Sequence, residues 1–162
     1  MLTFFPAIRR FALAVFVLVL AALVVACGSD AVPSLAPGAS QEGSIPALTG
    51  TSWIVVSVNG RSPIAGAVPT ISFDATQIKG FFGCNQGGGG YRLDAATGQF
   101  AIQGIGATAM GCLQPGVTEF ESAFTTALGG STSARLDPTG QLILRGPASR
   151  IVLVTLEHPA TP

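Results

Sequence analysis

The chain has 162 residues, eight basic and eight acidic side chains and one His, so it is formally neutral and only 10% charged. That excludes a basic surface of the kind nucleic acid requires, and a 48% hydrophobic content excludes wholesale disorder. Twenty-one Gly and eleven Pro favour short strands and turns over long helices, while three Cys and a single His leave little material for metal or nucleophile chemistry.

The first element is an address. Arg9 and Arg10 precede an apolar run from Phe11 to Leu23, followed by Val24-Val25-Ala26-Cys27. A basic start, an apolar stretch and a small residue before a processing point make a secretory signal. From Phe11 to Cys27 is 17 residues, short of the roughly 20 that span a bilayer as a helix. An uncleaved anchor is therefore the alternative rather than the first reading. Val24-Val25-Ala26-Cys27 resembles the bacterial lipoprotein signal, which implies cleavage after residue 26 and acylation of Cys27. Attachment then rests on several acyl chains at one Cys, since a single chain holds only marginally. Without residues 1–26 the chain keeps six basic and eight acidic side chains, a net charge of −2 that gives anionic headgroups nothing to attract. The expected location is the cell membrane or outer membrane, held by the lipid.

Residues 27–46, rich in Gly, Ser, Ala and Pro, read as a flexible linker with a reach of roughly 25 Å. One domain follows, over residues 47–157, and residues 158–162 form a tail containing His158. Strands are expected at 52–58, where β-branched residues and Trp53 run into an Asn59-Gly60 turn, and at 70–74 and 77–82 as a hairpin. Shorter strands follow at 91–93 and 100–103, with Gly87 to Gly90 read as a loose loop. Leu136-Asp137-Pro138-Thr139-Gly140 is a turn between strands at 133–136 and 141–145, and 150–156 is apolar enough to be buried on both faces. One helix interrupts them. Thr118 and Glu121 have capping-box spacing, Phe120, Ala123, Phe124, Ala127 and Leu128 recur on one face, and Gly129-Gly130 ends it. These elements make a mainly β (α+β) domain of short antiparallel strands with one amphipathic helix.

Four segments resemble the META domain family, HslJ-like. They are Thr51-Ser52-Trp53 at the first strand, Gly83-Cys84-Asn85 with Gly90-Tyr91 downstream, Thr108-Ala109-Met110-Gly111-Cys112, and Glu121-Ser122-Ala123-Phe124. They occur in the family's order and span nearly the whole domain. The resemblance implies a small antiparallel β-barrel, distantly lipocalin-like, and carries associations with stress response and antibiotic tolerance.

Few residues invite chemistry. With Cys27 acylated, Cys84 and Cys112 are an even remainder in an oxidising compartment, where a structural disulfide is the first expectation; buried free thiols and a redox pair are the alternatives. Asn85 suits a local turn or a ligand contact. Trp53 and Tyr91 suit core packing or ligand stacking, and recognition is expected around Asn85 to Tyr91. No Ser/His/Asp set can be built around His158, no His/Cys/Asp/Glu group has metal-ligand spacing, and Gly87 to Gly90 lacks the Lys of a phosphate loop. No catalysis, cofactor or metal is expected. The reading is a non-catalytic envelope lipoprotein that binds or stabilises an envelope protein. The alternatives are a carrier of a small apolar ligand and a pilotin-like assembly factor for a secretion component.

Overall fold

The structure is a computed structural model and describes residues 43–156. The signal segment, Cys27, most of the linker and the tail with His158 lie outside the described residues. Eight strands form one antiparallel sheet in the order β5-β4-β3-β2-β1-β8-β7-β6. The strands are β1 (Thr51–Val58), β2 (Thr70–Phe73), β3 (Gln77–Phe81), β4 (Gln86–Leu93), β5 (Phe100–Ala107), β6 (Ser133–Leu136), β7 (Leu142–Gly146) and β8 (Ser149–Thr155), with helix α1 (Val117–Gly129) between β5 and β6. The sheet curls until its two edges meet at one end. There Gln99 bridges to Ser133, the Phe100 N–H donates to the Thr132 carbonyl, and the Ala134 N–H donates to that of Gly98.

Alternation along the strands fills the interior. Trp53 and Val55 of β1, Ile71 and Phe73 of β2, Leu142 and Leu144 of β7, and Ile151 and Leu153 of β8 all face inward and are buried. A bulge at Val56 shifts the β1–β8 register, pairing Val55 with Leu153 and Val58 with Ile151, so both valines stay inside. The helix lies over β5, β8 and β1 and buries Val117, Phe120, Phe124, Ala127 and Leu128. Phe82 meets Phe124 edge-on at 5.4 Å between ring centres, tying the helix to the end of β3.

Three local expectations change. Residues 86–90 are not a loose loop but the first half of β4, each paired with β3, and β5 continues to Ala107. The glycines are what the close strand approach needs: a Cβ on Gly88 would overlap the Ile78 carbonyl oxygen, and one on Gly87 the Phe82 ring. The capping box does not form. The N-cap is Gly116, at φ 82°, without a side-chain cap, and Thr118 sits inside the first turn. The reason is that Glu121 is engaged elsewhere. At the other end, Gly130 has φ −89°, so its left-handed freedom is unused; its carbonyl oxygen instead lies where a Cβ on Gly146 would be.

The alternating strand directions give the barrel two poles. The turns at 74–76, 94–99 and 137–141 share one pole with residues 43–49, where the Leu136 N–H donates to the Ser44 carbonyl and Leu48 enters the core. The connections at 59–69, 82–85, 108–116 and 147–148 lie at the other pole.

Candidate functional site

Asn85 sits in the β3–β4 connection and is 5% exposed. Its Oδ1 accepts from the Thr108 hydroxyl at 2.9 Å and the Met110 N–H at 2.7 Å. Its Nδ2 donates to Glu121 Oε1 at 2.9 Å and to the Met110 carbonyl at 3.4 Å. The Asn85 backbone N–H donates to Glu121 Oε2 at 3.1 Å. A carboxamide is the one side chain that accepts twice and donates twice in this arrangement. These bonds cross 23 to 36 residues of sequence, so the role is long-range and not the local turn that an Asn between glycines suggests.

Beside it Cys84 and Cys112 form a disulfide with Cα atoms 5.8 Å apart, and Glu121 Oε2 lies 4.0 Å from Cys112 Sγ. Of the three expectations for the thiols, the bonded one is observed. In the chain-entropy picture, closing a loop of about 29 residues stabilises the fold by roughly 3.6 kcal/mol. Asn85, the disulfide and the Gln114 side-chain bond to the Ala65 carbonyl at 3.0 Å fix the 108–116 connection against the barrel.

That connection has an unusual surface. Residues 104–118 contain no charged side chain, yet Met110 is 61% exposed and Leu113 is fully exposed. Val68, from the neighbouring 59–69 connection, is also exposed at this pole. An open cleft of about 610 Å³ runs between β5, this connection and α1, with Asn85, Ile105, Met110, Cys112, Glu121 and Thr125 on its walls.

The other sequence candidates lie elsewhere. Trp53 is buried in the core, its Nε1 donating to Thr51 Oγ1 at 2.7 Å. Tyr91 is 8% exposed, packs edge-on to Phe73 and donates to the Asp74 carbonyl at 2.8 Å, at the pole where residues 43–49 run. Neither borders the Asn85 cleft. Sequence reasoning missed Glu121 as the partner of Asn85, and missed Met110 and Leu113 as a surface. A signal for the first was present, since the segments 83–85, 108–112 and 121–124 on which the resemblance rests meet here.

An antiparallel barrel plugged by one helix, with buried Asn85 tied to half-buried Glu121 beside a disulfide in a knot that braces an apolar connection, defines the class. The chain belongs to the META domain family, whose model matches residues 46–159. The META family is not a known enzyme family. The fold is similar to that in an NMR structure of a protein from Burkholderia xenovorans, at 24% identity and TM-score 0.57, covering 68% of this chain and 85% of that one. A second NMR structure matches at 27% identity and TM-score 0.52, covering 65% and 89%. No curated protein matches the chain.

Proposed function

We propose that this protein is a non-catalytic envelope lipoprotein, acylated at Cys27, that recognises an envelope protein through the 108–116 connection. The observation that carries this reading is Leu113, fully exposed on a segment held by a disulfide and a buried asparagine. Burying a Leu side chain contributes about 1.5–3 kcal/mol. A segment already fixed before binding gives up little further conformational entropy. The absence of charge over residues 104–118 fits a partner that offers an apolar pocket rather than an ion-paired surface.

The arrangement of poles supports the same reading. The chain enters the barrel at Gly43, by the β6–β7 turn, and the apolar connection is at the opposite pole. Attachment at residue 43 leaves the 108–116 connection clear of the point where the tether joins. A carrier role is less well supported, because Phe82, Phe120, Phe124, Ile71, Ile78 and Leu128 fill the interior with essentially no exposure.

Native mass spectrometry of the full chain extracted from host membranes tests the anchor and the carrier alternative together. The expected species starts at Cys27, carries an acyl mass increment and has no small-molecule passenger. An intact chain starting at Met1 would overturn the lipoprotein reading, and a reproducible non-covalent adduct would favour the carrier.

A further inference from the structure

We propose that the reduced protein binds a thiolate-seeking divalent cation, with Zn²⁺ as the probe, on Cys84, Cys112 and Glu121. The two sulfurs and a Glu121 carboxylate oxygen lie within 4.8 Å of one another. A tetrahedral zinc with Zn–S near 2.3 Å and Zn–O near 2.0 Å sets its donors roughly 3.5–3.8 Å apart. The 4.0 Å between Cys112 Sγ and Glu121 Oε2 is already close to that spacing. No sequence spacing announces this set, because its members come from the β3–β4 connection, the 108–116 connection and the helix.

Two further features favour a site over a chance cluster. Glu121 is aimed by two hydrogen bonds from Asn85, at 3.1 and 2.9 Å, which is how outer partners orient a ligating carboxylate. Cys112 and Glu121 also border the 610 Å³ cleft, so a fourth coordination position would open to water or to an incoming ligand.

Oxidation state controls the site. An external dithiol or phosphine supplies two electrons, the S–S bond breaks, and each sulfur takes up one proton. Zn²⁺ then displaces both protons, forms two Zn–S bonds and accepts the Glu121 oxygen. The disulfide offers no thiolate, so the oxidised protein does not bind. With zinc bound, the metal replaces the disulfide as the link between residues 84 and 112. The proposal stands on the donor set and does not depend on the partner-binding reading.

The test uses the full chain in detergent, reduced with a phosphine under argon and titrated with Zn²⁺ against a chromophoric chelator. One equivalent should bind to the reduced protein and none to the oxidised one. Cys84→Ser and Cys112→Ser should abolish binding, which also excludes Cys27 as the donor. Glu121→Gln should weaken it at least tenfold, while Glu119→Gln, two residues away and exposed, should leave it unchanged. Far-ultraviolet circular dichroism on each reduced variant reports whether it is folded. X-ray absorption on the zinc-loaded wild-type chain needs no variant and should show two sulfur and two lighter donors. A reduced chain that binds no zinc, a folded Glu121→Gln chain that binds it equally well, or a shell without two sulfurs would overturn the proposal.

Discussion

Asn85 joins three remote segments through one carboxamide, and removing it strands several partners at once. Asn85→Ala leaves the Met110 N–H, the Thr108 hydroxyl and the Glu121 carboxylate short of a partner. A fully buried polar group left unsatisfied costs about 1–3 kcal/mol; Thr108 and Met110 are exposed, so water offsets part of their loss. We expect a loss of about 2–4 kcal/mol in chemical denaturation, well beyond that of an ordinary surface substitution. A loss under about 0.5 kcal/mol would show that the knot is not structural. Cys84→Ala with Cys112→Ala should lower stability by roughly 3.6 kcal/mol if loop closure dominates. At this scale the sequence was informative about residue type and uninformative about partner. The two cysteines that remain once Cys27 is set aside suggest a pair, whereas nothing near Asn85 in sequence points to Glu121. The spacing of Glu121 from Thr118 suits a capping box, but its tertiary partner Asn85 outcompetes the local one.

The elements were legible where alternation or helical spacing was strong and illegible where glycine carried the strand. Thr70 to Phe73 and Phe120 to Leu128 fell as their periodicity indicated. Residues 86–90 carry four successive glycines, which have low strand propensity, so the first half of β4 reads as loop although it pairs throughout with β3. Gly87, Gly88 and Gly89 are steric requirements of the close strand approach, which only the neighbouring atoms reveal. Gly80→Ala would drive a Cβ into the Thr70 carbonyl and is expected to cost at least about 2 kcal/mol, as overpacking does. Gly106→Ala meets nothing within 4 Å and should be neutral or gain up to about 1 kcal/mol by restricting the unfolded chain. Equal thermal shifts for the two variants would contradict this steric account of the strand glycines.

The turns carry their own prediction. Asp94 accepts backbone N–H bonds from Thr97 and Ala96, and Asp74 accepts them from Gln77 and Thr76, which holds both carboxyls below the ordinary value of 3.8. Asp137 is lowered chiefly by the Thr139 hydroxyl, with help from the Gln141 and Thr139 N–H groups. A lowered folded-state value means that the stabilisation is present above 3.8 and is lost as pH falls through the folded value. Stability should therefore decline with acidification below about pH 4, and Asp137→Asn should flatten that decline. An unchanged acid limb in this variant would count against the turn geometry.

For the whole molecule, the resemblance implied a barrel with one helix, and the eight-stranded curled sheet with its edges joined at one end agrees. What neither composition nor motif could show is the separation of the poles, which follows from strand direction. Residues 43–49 enter at one pole and the braced apolar connection sits at the other, so recognition expected around Asn85 to Tyr91 divides between them. Asn85 underlies the connection, whereas Tyr91 belongs to the core beneath the opposite turns. The central claim is that Leu113 is a contact residue held in place by the knot. The most direct measurement is photo-crosslinking in intact cells from a probe at Leu113, compared with one at the exposed Ala95 of the opposite pole. The account predicts one dominant protein adduct from position 113, none from position 95, and loss of the adduct when Cys84 and Cys112 are both replaced by Ala. Equal labelling from the two positions, or none from position 113, would contradict it.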